Sequence, residues 1–455
     1  MQREHLGSRL GFLLLSAGCA IGIGNVWKFP YMAGQNGGGI FVLVYLFFLL
    51  ILGVPVLTME FSLGRASQKS PVKLYQALEP KGSRWHLHGY VAMAGNYLLM
   101  MFYTTVAAWM LQYFVDTARG CFTGLDAAQV AVQFENIQAD PGTMAVYMII
   151  VVAAGFLICS MGLQNGLERV TKGMMLALLA IMLLLAGNSL FLEGGREGLS
   201  FYLLPDWERM KSIGIGKVVV SAMNQAFFTL SLGMGSMAIF GSYLGKDRAL
   251  LGEAVHVAAL DTFVALCSGL IIFPACFAYG VEAGSGPSLI FITLPNIFNH
   301  LPWGRLWGSL FFVFMSFAAF STVLGVFESI VACTTDLFGC SRKKACLVNG
   351  LLLVLLSLPC VLGYNLWSAL QPLGQGSTIM DLEDFLVSSL ILPLGSLCYV
   401  LFCVTRYGWG WKNFMAEANT GKGLKIRRWM RGYMTYGLPV IILLLFVIGM
   451  VSFFQ

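Results

Sequence analysis

The sequence predicts an all-α integral membrane protein of about eleven transmembrane helices, ten of them in a 5+5 inverted repeat with discontinuous helices 1 and 6. Three observations carry that prediction. Of the 455 residues, 58% are hydrophobic and only 11% are charged, where a soluble chain carries about 25% charged residues. Apolar runs close to the ~20 residues that cross a bilayer recur along the chain. Glycine and polar residues cluster inside two of those runs, the first and the sixth. A protein core cannot absorb so large an excess of apolar side chains, so the solvent is lipid.

Taken in order, the apolar runs place spans near 8–33, 38–64, 87–118, 143–161, 170–191, 215–244, 254–280, 305–336, 345–363, 377–404 and 433–454. The whole chain, 1–455, is expected to form one transmembrane domain, with repeat one over about 8–191, repeat two over about 215–404 and an extra helix at about 433–454. The first run is not a cleavable signal, because it continues into Trp27, Lys28, Phe29 and Pro30 with no small-residue cleavage site. The eighth carries Ser321 and Thr322 in an otherwise apolar stretch, and the tenth carries Asp384.

Basic residues set the orientation, since they gather in cytoplasmic loops. Most of the 28 Lys and Arg residues fall on one side, from Arg3 and Arg9 through Arg65, Lys73, Arg169, Lys246 and Arg342 to Arg431. The N-terminus is therefore expected in the cytoplasm and Gln455 outside. The net charge of +6 is then a topology signal and not a sign of nucleic-acid binding. Acidic residues of the outer loops, Asp126, Glu135, Asp140, Glu193 and Glu197, read as solvated. The eleven cysteines show no metal or redox spacing, and no disulfide framework is expected, since cysteine in an apolar run acts as a small hydrophobe. His5, His86, His88 and His300 sit at loops or helix ends without a catalytic partner. There is no nucleophile–base set, and the Gly37-Gly38-Gly39 run follows no strand, so an enzyme and a nucleotide-binding protein are both disfavoured.

The interrupted runs carry the chemistry. The first contains Gly18, Gly22 and Gly24 followed by Asn25, and the sixth contains Thr229, Ser231, Gly233 and Gly235. One such helix alone reads equally well as close packing through small residues. Two, at positions 1 and 6, are what an inverted repeat places around a site at the bilayer midplane. Unwound backbone is tolerated there only if a ligand or cavity satisfies it. Freed carbonyls suit a hard cation, and half-helix N-termini suit a carboxylate.

The run Gly7-Ser8-Arg9-Leu10-Gly11-Phe12, then Gly22-Ile23-Gly24-Asn25-Val26-Trp27-Lys28-Phe29-Pro30-Tyr31 and Asn36-Gly37-Gly38-Gly39, strongly resembles the neurotransmitter:sodium symporter family. So do Met59-Glu60-Phe61-Ser62-Leu63-Gly64-Arg65 and Gln225-Ala226-Phe227-Phe228-Thr229-Leu230-Ser231-Leu232-Gly233. The match runs from about residue 3 to the end of the tenth helix. Eleven helices rather than twelve resemble its bacterial branch of multi-hydrophobic amino acid transporters. The resemblance implies the leucine-transporter fold, a bacterial plasma membrane location, and sodium-coupled import of neutral, hydrophobic or aromatic L-amino acids by alternating access. It implies Na⁺ at two sites and no organic cofactor, in a monomer or weak dimer. A proton-coupled or exchanging transporter of the same fold is the alternative.

By that resemblance one sodium site takes the Ala20 carbonyl, Asn25, Thr229 and Asp261, completed by the substrate carboxylate. The other takes the carbonyls of Gly18, Ile21 and Ala318 with the hydroxyls of Ser321 and Thr322. These hydroxyls could instead bond back within their own helix. Asp261 departs from the family's usual asparagine and Ala265 from the serine of chloride-dependent relatives, while Tyr45, Gln225 and Thr229 remain. Chloride is therefore expected to be dispensable.

The gates follow from the same resemblance: Lys28 with Asp384 outside, and Arg3 with Asp336 inside, near Tyr243 and Glu328. Lys28 stands where relatives have arginine, and Leu6 where they have tryptophan. Substrate contacts are expected from Ala20, Gly22, Gly24, Leu99, Tyr103, Phe228, Thr229, Ser231, Met234, Gly325 and Val326, with Tyr103 and Phe228 as a lid and Gly325 adding room. Amine-carrying relatives have aspartate where this chain has Gly22, so the substrate must bring its own carboxylate.

Overall fold

The computed structural model describes residues 6–192, 194–280 and 289–454, so Arg3, His5, Glu193 and Gln455 lie outside the described residues. Every element named below is helical. Among the described residues nine helices are long and apolar enough to cross a bilayer unaided: Gly39–Ser67, His86–Arg119, Pro141–Ser160, Leu163–Leu190, Leu250–Ala278, Gly304–Phe338, Arg342–Leu362, Ile379–Val404 and Met430–Val451. A tenth crossing is the bent pair Arg9–Ala20 and Gly24–Gln35, whose axes differ by 56°. The eleventh is the interrupted pair Ile215–Thr229 and Ser236–Ser242, of 15 and 7 residues, each too short to span alone. In chain order the bent pair is the first span and the interrupted pair the sixth.

Local chemistry explains the helix ends. Ser8 accepts a hydrogen bond from the Gly11 amide and so caps the first span. Asp126 forms a capping box with Gln129 at the short helix Ala127–Ala139, and Asp140 caps Pro141–Ser160 through the Gly142 and Thr143 amides. These two acids, expected to be merely solvated, thus have a structural task, whereas Glu135 and Glu197 are exposed. Among the nine unbroken helices burial is greatest in the third and eighth spans, His86–Arg119 and Gly304–Phe338, which pack along each other, the eighth also against the N-terminal half of the first. The first and sixth spans are almost wholly buried over 11–26 and 225–243. The eleventh span lies at the periphery, and the cysteines are all free and mostly buried.

Both interruptions have a backbone cause. In the first span Ile21 is extended (φ −71°, ψ 97°), and its amide closes the last turn on the Ala17 carbonyl. In the sixth, Ser231, Gly233 and Gly235 have φ of 51°, 91° and 75°. Left-handed backbone costs glycine little and other residues more, so Gly233 and Gly235 let the chain turn away from its helix axis between Thr229 and Ser236.

Candidate functional site

The two interruptions face each other, with the seventh span (Leu250–Ala278) and the eighth closing the sides. Leaving the helix frees the carbonyls of Cys19 and Ile21. Ser321 donates to the Ile21 carbonyl at 3.1 Å and to Ala318 of its own helix at 2.9 Å. Thr322 donates to Cys19 at 3.1 Å and Ile21 at 3.4 Å. Only the Ser321–Ala318 contact is the local back-bond that hydroxyls make in ordinary helices; the others bridge two spans. Ile21, Ala318, Ser321 and Thr322 thus come together as expected. Thr322 engages the carbonyls of Cys19 and Ile21, and a Cβ on Gly18 would meet Thr171 and Met175 of the fifth span.

A second group converges on Asp261, which is fully buried. Asn25 Nδ2 donates to Asp261 Oδ1 at 2.8 Å and to its carbonyl at 3.1 Å. Thr229 Oγ1 donates to Oδ2 at 2.9 Å, and the Tyr45 hydroxyl approaches the same oxygen at 3.5 Å. Asn25 Oδ1 in turn accepts from the Gly22 amide at 3.2 Å, and Gln225 Nε2 donates to the Gly24 carbonyl at 2.9 Å. The carboxylate therefore meets three neutral donors. A buried charge of this kind is expensive unless a cation or a proton joins it.

Between the two groups there is no space for a side chain on the first span. A Cβ on Gly22 would lie 2.2 Å from the Tyr103 hydroxyl oxygen and 2.3 Å from Thr322 Oγ1. The Tyr103 oxygen itself accepts from the Ile23 amide at 2.8 Å. A Cβ on Gly24 would lie 2.9 Å from the Phe228 ring. Ala20, Leu99, Tyr103, Ser231, Met234 and Val326 are all buried around this point. Gly325 corrects the expectation that it adds room: a Cβ there would come within 2.6 Å of Cys19, so the glycine serves close approach of the first and eighth spans.

Two residues outside the expected set hold the sixth span open. Glu60 Oε1 accepts from the Gly233 amide at 2.6 Å, and Asn96 Nδ2 donates to the Met234 carbonyl at 3.1 Å while its Oδ1 accepts from Ser236 at 2.8 Å. Their signal in the sequence is a carboxylate and an amide inside apolar runs, which default to functional positions.

On the side of the interruptions away from the N-terminus, Lys28 Nζ stands 3.2 Å from both oxygens of Asp384, 3.3 Å from Ser388 and 4.0 Å above the Phe228 ring. The contact with Ser388 and the ring offsets the loss of arginine's planar fork. A cavity of about 260 Å³ opens here, lined by Trp27, Tyr31, Tyr103, Phe228, Met380 and Asp381 among others. Tyr103 and Phe228 separate it from Gly22 and Gly24.

On the N-terminal side, Tyr243 donates to Glu328 at 2.6 Å, and Glu328, fully buried, pairs through both oxygens with Arg342. In the sequence Arg342 reads only as a topology charge. Asp336 accepts from the Ser70 amide at 2.7 Å; its expected partner Arg3 lies outside the described residues. Leu6 packs half-buried on the core, and Glu168 grips the start of the first span through the Gly7 amide at 2.8 Å and the Ser8 hydroxyl at 3.1 Å.

Comparison with known proteins gives this arrangement a context. The sequence profile described as "Sodium:neurotransmitter symporter family" matches residues 3–124 and 126–455. The uncharacterized sodium-dependent transporter YhdH of Bacillus subtilis (strain 168) is 36% identical over 98% of both chains. The uncharacterized sodium-dependent transporter MJ1319 of Methanocaldococcus jannaschii is 32% identical over 90% of this chain and 83% of its own. Among solved structures, that of MhsT in complex with L-phenylalanine superposes with a TM-score of 0.89 at 36% identity, covering 98% of this chain and 100% of its own. Two broken spans around buried hydroxyls, carbonyls and a carboxylate, on a chain matched nearly end to end, lead to one assignment: this protein belongs to the sodium:neurotransmitter symporter family and is a sodium-dependent membrane transporter.

Proposed function

We propose that the protein imports neutral, hydrophobic or aromatic L-amino acids together with two sodium ions, by alternating access between two five-helix repeats. The carrying observation is the pair of facing interruptions at Ile21 and at Ser231–Gly235, with Gly22 too crowded for any side chain. One ion takes the oxygens of Cys19 or Gly18, Ile21, Ala318, Ser321 and Thr322. Because each of those oxygens is neutral, the cage suits a monovalent hard cation. The other takes Ala20, Asn25, Thr229 and Asp261, displacing the hydrogen bonds that hold them together without the ion. The substrate carboxylate completes this second site, accepting from the amides beside Gly22 and from the Tyr103 hydroxyl. Ion and substrate then share an ionic contact, so each raises the other's affinity by the same factor.

Asp261 supplies the fixed negative charge, which makes chloride dispensable. Leu99, Tyr103, Phe228, Ser231, Met234 and Val326 offer an apolar pocket with an adaptable methionine, a reading supported by the L-phenylalanine in the MhsT structure. Lys28 and Asp384 act as the outer gate, and Arg3, Asp336, Tyr243 and Glu328 as the inner one, with the N-terminus cytoplasmic in a bacterial plasma membrane. The test is uptake of labelled L-phenylalanine, L-tryptophan and L-leucine into proteoliposomes under an inward sodium gradient. Equal uptake with choline replacing sodium refutes sodium coupling.

A further inference from the structure

Glu383 precedes the gate carboxylate Asp384 by one residue, yet it points away from the cavity that Met380, Asp381 and Asp384 border. It is 3% exposed, and no N–H or O–H donor reaches either of its carboxyl oxygens. Its segment, Ile379–Asp384, packs against the third and ninth spans. From there the Cys360 thiol faces the carboxyl, with the Thr105 hydroxyl beside that thiol and Tyr364 behind. A thiol is a weak donor. The other charges nearby are Asp381 and Asp384 on the same segment, and Lys28, already engaged by Asp384 and Ser388.

An ionised carboxylate in this position has neither cation nor N–H to replace its water, a state that membrane interiors strongly disfavour. A neutral carboxylic acid fits, since it can give its one O–H to the thiol or hydroxyl. Immediately after Asp384 the tenth span widens into a π-helical stretch, Phe385–Ile391, followed by Pro393. Such stretches recur at functional sites and mark where a helix bends. Bending there moves Asp384 and Glu383 together.

We propose that Glu383 is a proton-binding site, occupied while Lys28 and Asp384 are in contact and emptied when the outer segment of the tenth span swings into the vestibule. The O–H bond then breaks, the proton passes to vestibule water, and the carboxylate that remains is hydrated. Because the closed state binds the extra proton, raising the pH draws the protein toward the open state. One linked proton changes the closed-to-open ratio by up to about tenfold per pH unit. The inference rests on the proposed gate.

The experiment uses the full chain in lipid nanodiscs at saturating sodium, measuring L-phenylalanine binding from about pH 5 to pH 9, a range that brackets the shifts seen for buried carboxyls. Wild-type affinity should weaken as pH rises. Glu383→Gln, a permanent mimic of the neutral acid, should remove that part of the slope, and Glu383→Asp should keep it. Infrared titration of the same samples should show a carboxylic-acid C=O band that Glu383→Gln lacks, which separates Glu383 from Asp261. Equal slopes in wild type and Glu383→Gln, or identical infrared bands, overturn the proposal. If Glu383→Gln does not fold, the infrared band of wild type against Glu383→Asp decides: it must shift. Absence of sodium-dependent binding at every pH would instead count against the transport reading, and the infrared result would still stand.

Discussion

Gly22→Ala adds one methyl group at the centre of the proposed site, and the structure says what it must displace. Its carbon would sit 2.2 Å from the Tyr103 oxygen and 2.3 Å from Thr322 Oγ1, so each must retreat by about 1 Å to reach ordinary contact. Tyr103 cannot retreat and keep the Ile23 amide, which it now accepts at 2.8 Å. Losing that buried hydrogen bond costs about 1–3 kcal/mol, and overpacking a tight site costs a similar amount. Together these come to about 2–6 kcal/mol, and every 1.4 kcal/mol is a factor of ten in affinity, so apparent L-phenylalanine affinity should fall by at least about 25-fold. Sodium affinity should fall too, because Thr322 is displaced from the Cys19 and Ile21 carbonyls. The assay is scintillation-proximity binding with sodium titrations, alongside melting in detergent to confirm the fold. Binding within twofold of wild type would refute the claim that Gly22 meets substrate and sodium ligands at once.

Other outcomes follow from neighbouring contacts. Thr322→Ala removes two hydroxyl contacts to main-chain carbonyls; half-maximal uptake should need roughly tenfold more sodium, at about 1 kcal/mol or more, with melting nearly unchanged. Asp261→Asn combined with Ala265→Ser should make uptake chloride-dependent, read by exchanging chloride for gluconate; unchanged uptake in gluconate would discount Asp261 as the fixed anion. Glu328→Gln leaves Arg342 partly buried without its carboxylate, so chemical denaturation should show a loss of about 3 kcal/mol, more than any single gate contact at the surface could account for.

Some of this was legible in residues alone because it depends on local composition. The eleven spans follow from runs of apolar side chains, and the broken first and sixth spans from glycines whose backbone tolerance is intrinsic. The hydroxyl pair Ser321–Thr322, the carboxylate Asp261 and the charges Lys28 and Asp384 stand out against apolar neighbours in the sequence, since polar groups at membrane depth need a reason. What composition does not encode is distance. Gly325 looks like added space in a sequence, yet Cys19 fills the space beside it. Arg342 looks like one more topology charge, yet it meets Glu328.

The sequence by itself determined the solvent, the number of crossings and the two points at which helix gives way, because each is a property of consecutive residues. Only the tertiary structure decided which freed oxygens meet which donors. Gly233 finds Glu60 from 173 positions away, Lys28 finds Asp384 from 356, and Cys19 rather than Gly18 meets Thr322. Those pairings depend on how far each span is displaced and rotated against its neighbours, a quantity summed over all the packing contacts of the bundle and carried by no local run of side chains.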